Sequence, residues 1–126
     1  RNGFSNKNEY GITLVSLSEK FRKDFEPNSA NFKNRIDALK YLHRKGFKTW
    51  VSMEPYPTPN LIKQDLIAIL EAVSFVDKIV FGRLNYNVKS SEFKYSKEFY
   101  NSLASYVINF CKRNRISYHI KQGTQI

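Results

Sequence analysis

Four short apolar stretches recur along this chain, and three segments of helical period lie between them. This alternation constrains the fold more than any other feature. The stretches Ile12–Ser16, Thr49–Met53, Lys78–Phe81 and Ile116–Ile120 read as strands. Ile12–Ser16 and Lys78–Phe81 are near-continuous apolar runs, as strands covered on both faces in a parallel sheet tend to be. Between them, Asn31–Lys45 places Phe32, Ile36, Leu39 and Leu42 at helical spacing, and Arg44-Lys45-Gly46 supplies a cationic last turn and a glycine stop. Leu61–Val73 repeats the pattern with Leu66, Ile69, Leu70 and Val73, with Thr58 or Asn60 as its expected cap. Ser96–Asn114 carries Phe99, Leu103, Val107 and Phe110 on one stripe. The order β-α-β-α-β-α-β predicts an α/β fold with a parallel four-stranded sheet, its strands joined by right-handed helical crossovers.

Two connections are long. Leu17–Ala30 and Gly82–Tyr95 both exceed the usual βα loop of roughly 2–6 residues. Both follow the C-terminal end of a strand, where α/β folds place their ligands. The returns to the next strand, such as Gly46-Phe47-Lys48, are short. One rim of the sheet therefore reads as functional and the other as plain.

Candidate site residues cluster on the first rim. In the second strand, alternation sends Val51 and Met53 toward the helices and Trp50, Ser52 and Glu54 toward the opposite face. Glu54 then meets Pro55, Pro57 and Pro59, which restrict the loop backbone beyond it. A second Glu-Pro, Glu26-Pro27, follows the first strand. Gly82, Arg83 and Asn85 follow the third, and Tyr56, Tyr86 and Tyr95 lie in or near the rim loops. The expectation is that Glu26, Glu54 and Arg83 gather around one hollow, with Tyr56, Arg83 and Asn85 facing substrate. His43 reads as a helix-end or packing residue, His119 has no evident partner, and Cys111 reads as a core thiol.

The 126 residues suit one α/β domain spanning 1–126, and 41% of them are hydrophobic, enough to bury a core. No apolar run approaches membrane-spanning length. A lone cysteine excludes an internal disulfide and a multi-cysteine metal site within these residues, and fits a reducing, cytoplasmic setting. The net charge of +10, from 21 basic and 11 acidic side chains, is dispersed and leaves an anionic partner such as nucleic acid open. Opening on Arg1-Asn2-Gly3, the chain reads as a piece of a longer protein.

The stretch DFEPNSANFKNRIDALKYLHRKGFKTWVSMEPYPTP resembles the radical S-adenosylmethionine superfamily. Within it the resemblance is to the branch of spore photoproduct lyase and of proteins called DNA repair photolyases. It rests on a Glu-Pro after one strand, Arg35 early in the next helix, ALKYLHRKG before a strand, and that strand ending in SMEP. The resemblance implies a partial TIM-type barrel binding S-adenosylmethionine and a [4Fe–4S] cluster at its C-terminal rim. The family's three-cysteine cluster loop is not in these residues. The chain then corresponds to the C-terminal half of the barrel, inactive and without cofactor when alone, its natural partner being the N-terminal half. Ser16, Glu26, Arg35, Ser52 and Glu54 would lie nearest S-adenosylmethionine or substrate. Two other readings stand beside this one: a glycosidase-like barrel using Glu26 and Glu54 as its carboxylate pair, and a basic nucleic-acid-binding module. A half barrel would also expose two strand edges and an apolar inner face, inviting self-association.

Overall fold

A computed structural model describes residues 8–83 and 96–124. Its elements, in chain order, are β1 (Glu9–Thr13), α1 (Glu19–Phe25), α2 (Phe32–Arg44), β2 (Lys48–Tyr56), α3 (Leu66–Ala72), β3 (Lys78–Arg83), α4 (Ser96–Asn114) and β4 (Ser117–Ile120). The four strands form one sheet in the order β1-β2-β3-β4, and every neighbouring pair is parallel. The expected α/β class and parallel four-stranded sheet are present, with two helices and not one between β1 and β2.

α1, α2 and α3 each begin where a polar side chain accepts an orphan backbone N–H. Ser18 accepts from Phe21 at α1 and Asn31 from Asn34 at α2. Lys45 ends α2, and Gly46 follows at φ +92°, a conformation that favours glycine. At α3 the cap is Asp65, accepting from Ile67, and neither Thr58 nor Asn60. The start expected at Leu61 moves because the Leu61 and Ile62 N–H groups both turn back to the Thr58 carbonyl, while Gln64 Nε2 donates to the Val15 carbonyl at 2.8 Å. That bond holds the segment against the end of β1.

The first strand lies earlier than its apolar run. Pairing with β2 runs from Glu9↔Lys48 to Thr13↔Ser52 and is extended by Leu14 N–H donating to the Ser52 carbonyl at 2.9 Å. Leu14, Val15 and Ser16 are buried as the chain turns toward α1, so the run marked burial and not pairing. The segment read as loop 17–30 contains α1. Residues 84–95, where Asn85, Tyr86 and Tyr95 were expected to act, lie outside the described residues.

One core fills the space between the sheet and α2, α3 and α4. Val51, Met53, Ile79 and Phe81 from the strands are fully buried against Phe32, Leu39, Ile69, Leu70, Tyr100 and Val107. Each such side chain contributes roughly 1.5–3 kcal/mol of transfer free energy. The alternate positions face the other way. Register joins Gly11, Trp50 and Lys78 in one row, and Thr13, Ser52, Val80 and His119 in the next. No described helix of the core covers this second face. Among the described residues it is mostly polar, with Trp50 and Val80 as its large apolar members, where an apolar inner surface was expected. Among the described residues no helix is long and apolar enough to cross a membrane.

Candidate functional site

The open face and the C-terminal ends of β1 and β2 hold the richest set of polar groups. Ser52 and Glu54 project there, as alternation requires. Glu54 lies across β3: a Cβ on Gly82 would come within 2.9 Å of its Cγ and 3.0 Å of its carboxylate. The carboxylate reaches Lys121, just past β4, with Oε1 to Nζ at 3.6 Å. Glycine at 82 thus leaves the space that lets a β2 carboxylate meet a β4-end ammonium. One layer deeper, the Trp50 indole lies over β1, where a Cβ on Gly11 would come within 2.1 Å of the ring.

At the end of β1, Arg35 ties three segments together. Its Nε donates to the Ala30 carbonyl at 2.9 Å and Nη1 to the Thr13 carbonyl at 2.7 Å. Nη2 donates to Glu26 Oε1 at 3.1 Å. The side chain is 11% exposed and its guanidinium lies 5.0 Å from the Phe32 ring centre. Planar, multiply bonded arginine of this kind is a positioning element. It sets Glu26 beside a cavity of about 300 Å³ bordered by Thr13, Pro55 and Pro57. The proline-rich loop after Glu54 therefore forms a cavity wall; the Glu54–Pro55 bond is cis.

Other candidates are placed elsewhere. Ser16 is fully buried, and its Oγ accepts from Ser18 N–H at 3.0 Å inside the β1–α1 turn. Tyr56 sits in the helix-side core beside Phe81 and Phe99, 1% exposed, and burial pushes its phenol up to about 12. Its register shifts between Met53 and Tyr56, where the strand is irregular, so it leaves the face shared by Ser52 and Glu54. Arg83 also turns to the helix layer, its guanidinium 5.2 Å from the Tyr100 ring centre. Glu54 and Arg83 stand near strand ends and Glu26 caps the end of α1; the three do not share one hollow, because Arg83 and Glu54 project from opposite faces of the sheet.

Residues missed in the sequence are Lys121 and the aromatic pair of α1. Lys121 was findable as the residue that follows the last strand. Phe21 and Phe25 stand four apart after Ser18, but two apolar residues among charged ones are a weak signal for a helix. The remaining chemistry-bearing residues are structural. His43 Nδ1 lies 3.3 Å from Thr49 Oγ1 and 3.8 Å from Asp77, whose carboxylate accepts the Thr49 N–H at 2.8 Å. Cys111 is buried in α4, and burial raises its thiol to about 11. Among the described residues no group of three or more His, Cys, Asp or Glu could hold a metal ion.

No family model matches the chain, and no solved structure matches it. Over 90 residues, 71% of its length, it is 37% identical to an uncharacterized protein of Methanocaldococcus jannaschii. The matched segment makes up 34% of that protein, so the chain spans about a third of the length of the curated relative it matches.

Proposed function

We propose that the chain is the C-terminal part of a radical S-adenosylmethionine barrel and contributes strand ends that face cofactor and substrate. The observation that carries this reading is the sheet itself. Its strands run parallel in sequence order, the core helices pack on one face, and no described core helix covers the other, polar face. A (β/α) barrel is built by continuing such a sheet until it closes, and its ligands meet the C-terminal rim. The match to a third of a longer relative accords with a part of a larger fold.

The residues present do not fit an iron–sulfur cluster. Cluster iron is held by several thiolates, whereas Cys111 stands alone, buried in the helix layer with a raised thiol pKa. In this reading the cluster belongs to the N-terminal half of the barrel. S-adenosylmethionine fits better. Ser52 offers a hydroxyl, and Glu54 a carboxylate already engaged by a cation, both on the uncovered face. Held there and given an electron from the cluster, that cofactor would supply radical chemistry for taking hydrogen from a substrate. Arg35 keeps the rim in shape and touches neither group. The glycosidase reading has less support, since Glu26 borders the cavity at the ends of β1 and β2 and Glu54 does not.

The test uses the whole gene product that carries these residues, purified without oxygen. S-adenosylmethionine is expected to bind in calorimetry and to yield 5′-deoxyadenosine on reduction. Glu54→Gln is expected to weaken binding about tenfold, the worth of one charged hydrogen bond of roughly 1.5 kcal/mol. Absence of binding, or equal binding by the variant, overturns the assignment.

A further inference from the structure

We infer that the cavity at the ends of β1 and β2 binds a flat, largely apolar molecule carrying one hydrogen-bond donor. This inference stands apart from the cofactor reading, since neither Ser52 nor Glu54 borders the cavity. At about 300 Å³ it lies at the small end of ligand pockets. Val15, Phe21, Phe25, Leu61, Pro55 and Pro57 supply apolar walls. Phe21 and Phe25 stack with ring centres 4.5 Å apart and planes 26° apart, so an aromatic stack borders the cavity. A planar ring is the shape that matches it.

Polar selectivity comes from Thr13 and Glu26. The Glu26 carboxylate is held by Arg35 on Oε1, so the pair carries no net charge. Such a neutral, fixed acceptor discriminates for a donor N–H or O–H and not for a cation. Phe25 is 52% exposed although it lies in a helix, and it takes no part in the main core. A ring stacked in the cavity would cover its inner side. The wall is anchored from behind: Glu19 Oε2 accepts the Phe32 N–H at 2.9 Å, and Arg22 Nη1 donates to the Ser29 carbonyl at 2.6 Å. Beside it, a second hollow of about 520 Å³ shares Phe21, Phe25 and Leu61. Its other borders include Lys20, Asp24, Lys63 and Asp65, so it gives a polar extension of the same ligand somewhere to go.

The experiment is an amide-shift titration of the 15N-labelled chain with 2-naphthol and with 2-methoxynaphthalene, which differ by the donor. Naphthol is expected to shift the Thr13, Val15 and Phe25 amides saturably and to bind at least about fivefold tighter than its methyl ether, the worth of one hydrogen bond of roughly 1 kcal/mol. Phe25→Ala, at a position exposed enough to leave the fold intact, is expected to weaken naphthol about tenfold. Glu26→Gln is expected to narrow the preference between the two probes. If that variant does not fold, the probe pair and Phe25→Ala still decide. No saturable shift at these amides, shifts centred elsewhere, or equal affinity for both probes overturns the inference.

Discussion

Two glycines shape the open face by what they omit. Gly11 makes room for the Trp50 ring, and Gly82 makes room for the Glu54 side chain. The two neighbours differ in how they can yield. Glu54 meets Gly82 with the end of a flexible chain, so Gly82→Ala should redirect the carboxylate away from Lys121 at small cost to the fold. Gly11 lies under a rigid indole, and a methyl group there overlaps the ring outright. Gly11→Ala is therefore expected to expel Trp50, red-shift the emission of this single tryptophan, and cost about 1–3 kcal/mol in urea unfolding, the range for overpacking. Unchanged emission would show that the ring does not rest on β1. Residue-level reading of the sequence was uneven for a physical reason. Strand alternation placed Ser52 and Glu54 correctly, but the irregularity between Met53 and Tyr56 breaks the count, and Tyr56 falls to the other side. Arg83 shares parity with Ile79 and Phe81 and so belongs with them on the helix side; its place at a strand end drew attention away from that rule.

At the scale of elements, α1 and α2 are joined by one carboxylate. Glu19 starts α1, bonds Arg22 at 2.7 Å, and also accepts the first N–H of α2 from Phe32. That backbone bond, followed by the Arg22 contact, holds the Glu19 pKa below the ordinary glutamate range. A lowered folded-state pKa means the contribution is present in full above the unfolded value, about 4.3. It is lost as the pH falls through the lower folded value. Glu19→Gln is expected to remove that part of the acid sensitivity, so the stability gap between wild type and variant should shrink as unfolding is followed from pH 7 to pH 3. A gap that stays constant would mean the carboxylate's charge plays no part. The helices themselves were legible to different degrees. α2 and α4 are long enough for their period to stand out, and α2 has both its cap and its glycine stop. The seven residues of α1 carry only two apolar side chains among charged ones, too few to separate from a loop. Leu61 and Ile62 keep helical spacing with α3 yet sit in a turn fixed by Thr58 and Gln64, an arrangement set by contact with β1 and invisible to periodicity.

For the molecule as a whole, stability resides on one side of the sheet. Phe81 is fully buried against the helices, while its neighbour Val80 faces the uncovered side and is half-buried. Phe81→Ala is expected to cost about 3–5 kcal/mol in urea unfolding. Val80→Thr keeps the strand's preference for branched side chains and is expected to change stability by about 0.5 kcal/mol or less. Comparable losses at both positions would mean that the second face is also packed. The overall class was readable because alternation of short apolar runs with helical stripes is a property of long segments. The polarity of the open face was not, since it depends on which alternate residues the helices select.

The sheet's spatial order repeats the order of synthesis. No strand must be inserted between two that are already paired, so each new βα segment can dock on a finished edge. Assembly can then proceed stave by stave, with every closure spanning a single crossover and no long-range threading. A nascent chain of this design could begin consolidating its first staves while the last are still being made.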